Sequence, residues 1–305
     1  MTNEYHNQVE LLVSVLPHIA KEKCFALKGG TAINLFERDM PRLSVDIDLQ
    51  YIYVDERETA FSNVNNALDR IAESLEKVGI ETVFRENDYK IRKMICSNDR
   101  ASIKIEPNYI IRGCTKSTRF MQTSQKVQEV YGFAAINVLS FGELYGGKIC
   151  AALDRQHPRD LFDVKLLLEN EGINQSVKEG FLVALLGHNR PPYEILRPNI
   201  QNHEKTFEKE FFGMTEKSFS YEEHVETLHQ LIDAITKIFT EQDKQFLMSF
   251  FSAEPQWNLL EIENLKNLSA IKWKLKNLEQ LKTNNIKKFE NQLRELVKTL
   301  YKNSE

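Results

Sequence analysis

No stretch of the sequence approaches the roughly 20 consecutive apolar residues that span a bilayer, which argues against a membrane-embedded body. The opening stretch, MTNEYHNQVELLVSVLPHIAKEK, carries acids where a secretory signal needs a basic region. It reads as an amphipathic helix of a cytoplasmic protein. Cysteine is scarce: Cys24, Cys96, Cys114 and Cys150 lie far apart with no C-x-x-C pair, so neither a disulfide framework nor a zinc site is indicated and packed, reduced thiols are expected. There is no fixed-length repeat and no low-complexity tract. No Ser-His-Asp or Cys-His arrangement emerges from spacing; His157 precedes Pro158 as a helix-opening residue, and His188 sits in a proline-rich stretch where packing or a backbone hydrogen bond suits it.

The chain has 305 residues, 42% hydrophobic and 28% charged, the composition of a folded protein of about two domains. Its net charge of -4 argues against a uniformly basic nucleic-acid binder, yet it conceals an asymmetry. Residues 264–305 hold ten Lys or Arg against four Glu, a balance of +6 that leaves -10 for the rest. Such a run is commonly the solvated face of a helical hairpin; it is also a surface that could meet a polyanion.

Hydrophobic periodicity separates a mixed half from a helical half. "CFALK" reads as a short strand, "GG" as a turn, and "TAINLFER" as a helix with Thr31 at or near its cap. "SVDIDLQYIYV" follows as a strand. Phe61, Val64, Leu68, Ile71, Leu75 and Val78 then step at helical spacing to Gly79. "IETVFRE", "KIRKMIC" and "ASIKIEPNYII" are strand-like. From Leu139 the pattern is helical, interrupted by the three prolines of "GHNRPPYEILRPN" and ending in a stripe of Leu265, Leu268, Ile271, Leu275, Leu278 and Leu281. An α+β domain over residues 1–135 followed by a helical domain over 136–305 is the simplest organisation.

Two acids within an apolar run define the chemistry. On a strand, residues i and i+2 share a face, so Asp46 and Asp48 project together while Val45, Ile47 and Leu49 face the other way. Burying an unpaired carboxylate costs several kcal/mol, so the pair belongs either at a solvated edge or on a divalent cation, for which hard oxygen ligands select Mg²⁺ or Mn²⁺. Gly29 and Gly30 lack Cβ atoms, so a phosphate can approach their backbone at the start of a helix, although a lone glycine pair is a common turn. In "ASIKIEPNY", Glu106 falls on the polar face of a later strand. It is either a third carboxylate of a two-metal site or a surface acid paired with Lys104 or Lys90. Further on, Lys148, Ala152 and Arg155 share one helix face, and Arg159, Asp160 and Asp163 follow Pro158 at i,i+3 and i,i+4 spacings. This second block is either a polyphosphate-binding cluster or a structural ion-pair network.

"GGTAINLFERDMPRLSVDID" resembles the G-G-[ST]…R-x-S-x-D-[IL]-D signature of the AbiEii/AbiGii-type nucleotidyltransferase toxins, within the DNA polymerase β-like superfamily. "LSFGELYGGKICAALDRQHPRDLFDVKLLL" is similar to that family's E-L-x-x-x-K…R…R-D-x-x-D block, and "GHNRPPYEILRPN" with "FFGM" resembles a further stretch of its larger members. The likeness covers roughly residues 20–215. It implies an N-terminal nucleotidyltransferase core, with a mixed sheet and flanking helices, ahead of a helical C-terminal domain. It implies transfer of a nucleoside monophosphate from an NTP to an acceptor hydroxyl, with Asp46, Asp48 and Glu106 holding Mg²⁺ or Mn²⁺. Gly29, Gly30, Thr31 and Ser44 would bind the triphosphate, Lys148 and Arg155 its outer phosphates, and Asp160 would shape the site. In many relatives the third acid is Asp, where this chain has Glu106. The acceptor implied is RNA, the tRNA 3′ end, and the partner a winged-helix antitoxin. Two other readings of the D-x-D are a sugar-nucleotide glycosyltransferase and a nucleotide-binding regulator without turnover.

Overall fold

The structure, a computed structural model, describes residues 3–87, 91–215 and 218–301. Lys90, at the start of one expected strand, and Lys302 and Glu305 of the basic tail lie outside the described residues. The chain divides into two compact units, residues 1–140 with 211–218, and residues 141–210 with 219–305.

The first unit opens with helix α1 (Asn3–Ile19), followed by β1 (Phe25–Lys28), the short α2 (Gly29–Ala32), β2 (Asp46–Tyr51) and α3 (Arg57–Glu76). Then come β3 (Glu81–Glu86), β4 (Arg92–Ser97), β5 (Ser102–Asn108), β6 (Arg119–Gln122), α4 (Gln125–Tyr131) and β7 (Ala135–Val138). The seven strands form one mixed sheet in the order β3-β4-β5-β2-β1-β7-β6, with β2 parallel to β5, β1 parallel to β7 and the remaining pairs antiparallel. Alternation decides which face is core. Ile47, Leu49, Ile103 and Ile105 are buried, whereas Asp46, Asp48, Lys104 and Glu106, the residues between them, keep solvent contact. The α3 stripe buries Val64, Leu68, Ile71 and Leu75 completely or nearly so; Val78, expected to continue it, is exposed beyond the helix end, just before Gly79 at φ +77°.

Local structure departs from the sequence reading at the glycine pair. It is not a turn. Gly29 and Gly30 are the first residues of α2, Lys28 occupies the N-cap without a side-chain cap bond, and the helix runs on from Ile33 to Glu37 with π-type hydrogen bonding. Thr31 therefore lies inside the helix, where its hydroxyl bonds elsewhere. Residues 112–138, unassigned from periodicity, supply β6, α4 and β7. The segment 211–218 closes the unit: Phe211 and Met214 are buried, Leu43 N–H donates to the Met214 carbonyl at 3.0 Å, and Arg42 bridges to Thr215.

The second unit is helical: α5 (Phe141–Arg155), α6 (Pro158–Asn170), α7 (Gln175–Leu186), α8 (Pro192–Leu196), α9 (Glu204–Glu210), α10 (Tyr221–Ile238), α11 (Glu241–Phe251), α12 (Ser269–Asn284) and α13 (Ile286–Tyr301). Glycines bring α5 and α7 into backbone contact. A Cβ on Gly146 would stand 2.1 Å from the Gly180 carbonyl carbon, and one on Gly180 1.9 Å from the Gly142 oxygen. His157 caps α6 and Pro158 takes its first turn, as the sequence suggested. Capping boxes, Ser220 with Glu223 and Thr240 with Asp243, start α10 and α11. The leucine stripe buries Leu265, Leu268, Ile271 and Leu278. All four cysteines are free thiols, Cys96 and Cys150 buried and Cys24 and Cys114 half-buried.

Candidate active site

Within the first unit, β2 carries Asp46 and Asp48 on one face, each half-buried. Both neighbouring strands add to that face. Lys28, at the end of β1, stands opposite Asp48; across the parallel pair, Lys104 stands opposite Asp46 and Glu106 opposite Asp48. Register therefore places Glu106 beside the D-x-D. Its carboxylate is engaged: Lys93 on β4 donates to Glu106 Oε1 at 2.6 Å. This is the partner that sequence reasoning missed in favour of Lys104 or Lys90, and only the antiparallel β4–β5 register, Met94 against Ile105, discloses it.

The start of α2 is fitted against these acids. Gly29 has φ +72°, and a Cβ there would lie 2.3 Å from Asp48 Oδ2, so both backbone conformation and space require glycine. At Gly30 a Cβ would meet Arg42 Nη2 at 2.6 Å and Ser44 Oγ at 2.9 Å. Arg42, only 2% exposed, donates to the Leu43 carbonyl at 2.8 Å. Thr31 is fully buried; its hydroxyl donates to the Asp46 carbonyl at 2.5 Å and lies 3.1 Å from Ser44 Oγ. Asn34 Nδ2 donates to the Gly30 carbonyl at 2.9 Å. The helix start is thus tied to the first residue of the acid-bearing strand by a side chain that faces inward.

Two carboxylates on one face are a hard-oxygen donor pair of the type that suits Mg²⁺ or Mn²⁺. No group of three or more His, Cys, Asp or Glu among the described residues is arranged to hold a metal ion. The third acid, Glu106, sits in an ion pair with Lys93.

In the second unit, Lys148 on α5 is 7% exposed and its ammonium reaches two acids of α6, Asp160 Oδ1 at 2.7 Å and Asp163 Oδ2 at 3.1 Å. Arg155, two helical turns further and at the surface, donates from Nε to Asp160 Oδ2 at 2.5 Å. Burial by itself would raise the pKa of Asp160, but Lys148 and Arg155 outweigh it and hold the carboxyl well below the usual range. The helical spacing that put Lys148 and Arg155 on one face is explained: both converge on Asp160. His157 Nδ1 accepts from the Arg159 N–H at 3.2 Å, its Nε2 lies 3.2 Å from Glu210, and burial lowers its pKa. His188 accepts from the Arg190 N–H at 3.2 Å.

The sheet order, the acid pair and the glycine-opened helix packed on its second carboxylate together define the candidate site. The same fold occurs in MenT4, a nucleotidyltransferase toxin from Mycobacterium tuberculosis H37Rv, with a TM-score of 0.61 over 80% of this chain and 88% of that one at 13% identity. The chain belongs to the AbiEii family, matching the description "Nucleotidyl transferase AbiEii toxin, Type IV TA system" over residues 10–277. It is a nucleotidyltransferase toxin of a type IV toxin–antitoxin system. The match extends past residue 215 into α12, further than the motifs alone reached. No curated protein matches the chain in sequence. Family membership retires the glycosyltransferase reading of the D-x-D. Among the described residues no helix is long and apolar enough to cross a membrane.

Proposed function

We propose that the protein moves a nucleoside monophosphate from an NTP to an RNA hydroxyl, the 3′ end of tRNA being the acceptor that the sequence resemblance favours. The observation that carries this is the face of β2: Asp46 and Asp48 side by side, Gly29 packed on Asp48, and Glu106 in register beside it. In the transfer, the acceptor oxygen bonds to the α-phosphorus, the bond to the bridging oxygen breaks, and pyrophosphate leaves. Asp46 and Asp48 would hold Mg²⁺ or Mn²⁺, with Glu106 completing the set. When bound, such a cation stabilises charge on the phosphates and lowers the pKa of an attacking hydroxyl.

The remaining work belongs to the chain itself. Gly29 and Gly30, which are only half-buried, would offer backbone N–H groups to the triphosphate, with Asp48, Arg42 and Ser44 packed where a Cβ would stand. Ser44 and Thr31 fix that backbone to Asp46. Glu106 would accept the proton of the acceptor hydroxyl once released from Lys93. Within the second unit, Asp160 binds both Lys148 and Arg155, the cations to which the sequence resemblance gives the outer phosphates. The exposed Lys272, Lys276, Lys287, Lys288 and Lys298 of α12 and α13 are suited to RNA phosphates. Lys274 is not among them, because its ammonium is bound by the carbonyls of His188, Asn189 and Arg190. As partner we propose a winged-helix antitoxin, and as location the cytoplasm.

The test is label transfer from each of four α-³²P-labelled NTPs to total tRNA with Mg²⁺, for the wild type and Asp46→Ala. Labelled RNA that disappears in the variant supports the proposal and identifies the nucleotide. Absence of label with every NTP, while Mg²⁺-dependent NTP binding persists, rejects the RNA acceptor.

A further inference from the structure

Among the strands beside the acid pair, β4 contributes a residue that the transfer chemistry has not used. Met94 faces Ile105 across the antiparallel β4–β5 pair, which makes Lys93 the neighbour of Glu106, and the ion pair closes at 2.6 Å. The two groups differ in freedom: Glu106 is 31% exposed and Lys93 53%. A second lysine on the same polar face, Lys104, stands opposite Asp46 in the β2–β5 register. Three ammonium groups thus border the three acids, Lys28 opposite Asp48, Lys104 opposite Asp46 and Lys93 ion-paired to the third carboxylate.

We propose that Lys93 is a positioning residue that holds Glu106 in the free protein and yields it when a divalent cation binds at Asp46 and Asp48. This inference rests on the metal reading given above. A carboxylate engaged by an ammonium must exchange that partner before it can serve a cation, so the ion pair sets a threshold for assembling the third ligand. The threshold is small, because a half-exposed pair is weakened by water and salt.

The experiment measures Mn²⁺ binding to the full-length protein without nucleotide, by the electron paramagnetic resonance of free Mn²⁺, with circular dichroism confirming the fold of each variant. Lys93→Met tightens Mn²⁺ binding about three- to five-fold by releasing Glu106. Lys104→Met removes the same charge from the same face without touching Glu106, and changes affinity less than about two-fold. In a Glu106→Gln background, Lys93→Met has no further effect. Equal changes in the two lysine variants, or a Lys93→Met effect that survives in Glu106→Gln, overturn the inference in favour of general electrostatics; so does unchanged affinity in Lys93→Met while Asp46→Ala abolishes binding. Mn²⁺ binding that Asp46→Ala leaves intact rejects the metal site itself, and the role of Lys93 with it.

Discussion

Replacing Lys148 by Met isolates the energetics of the second unit. The ammonium is 7% exposed and lies between two carboxylates that are 1% and 0% exposed, at 2.7 and 3.1 Å. Its removal takes that ammonium from both carboxylates in a site that water scarcely reaches, while Arg155 stays on Asp160. Breaking a buried pair by deleting one partner costs about 3–5 kcal/mol. At roughly 2–4 °C per kcal/mol for a unit of this size, the midpoint of thermal unfolding should fall on the order of 10 °C. Circular dichroism at neutral pH reads this directly. A second arm carries Asp160→Asn and Asp163→Asn together with Lys148→Met. With no uncompensated charge left, it should recover much of the loss. Acid adds an independent check, because Asp160 titrates well below its ordinary value. Its contribution is present above about pH 3.9, the unfolded value, and is lost as pH falls toward the depressed folded value. The wild type should therefore lose stability more steeply than Asp160→Asn between about pH 5 and 2. A fall in midpoint of less than about 3 °C for Lys148→Met, on the same scale, would refute the account of a buried, desolvated clamp.

Three other outcomes follow. Gly29→Ala forces φ +72° on an L-residue and sets a methyl against Asp48, so it should cost about 1–2 kcal/mol and abolish nucleotidyl transfer, whereas Gly147→Ala, with open space around its Cβ, should be neutral or stabilising by urea unfolding. Thr31→Val removes the bond to the Asp46 carbonyl; a loss of about 1 kcal/mol with a larger fractional loss of turnover is expected, and unchanged kinetics would show that this tether does not align the strand. His224, 2% exposed, is pushed down to about 4 by burial and then by His203 and His157, so the unfolded chain takes up the proton first and stability should decline from pH 6.5 toward 4, a slope that His224→Gln should flatten.

What could be read from the sequence was what depends on short-range periodicity. Asp46 and Asp48 share a face because strands alternate, and Lys148 and Arg155 converge because helices repeat every three to four residues. The glycine pair misled for a local reason: its first member adopts a left-handed conformation, as turns do, yet its bonds continue into a helix. The strands β6 and β7 are four residues each, too short to show alternation, and the pair they form meets the rest of the sheet where β7 runs parallel to distant β1. Partner choice was the least legible. Nothing within ten residues of Glu106 names Lys93, because strand register is fixed by the whole β4–β5 pair. That Lys148 is buried rather than offered to solvent likewise depends on how α6 folds back over α5.

The excursion of the chain at residues 211–218 has a consequence during synthesis. The first unit takes its last piece from a segment made about 80 residues after the rest, since Met214 receives Leu43 and Thr215 pairs with Arg42. At about 5–20 residues per second, the ribosome delivers that piece some 4–16 s after residue 140. Through that interval the loop carrying Arg42 and Ser44, which abuts Gly30, lacks its brace. A nascent toxin would therefore emerge with its acid pair already encoded but its glycine-opened helix unsupported, and would gain its finished site only after residues 141–210, the smaller part of the second unit, have been made.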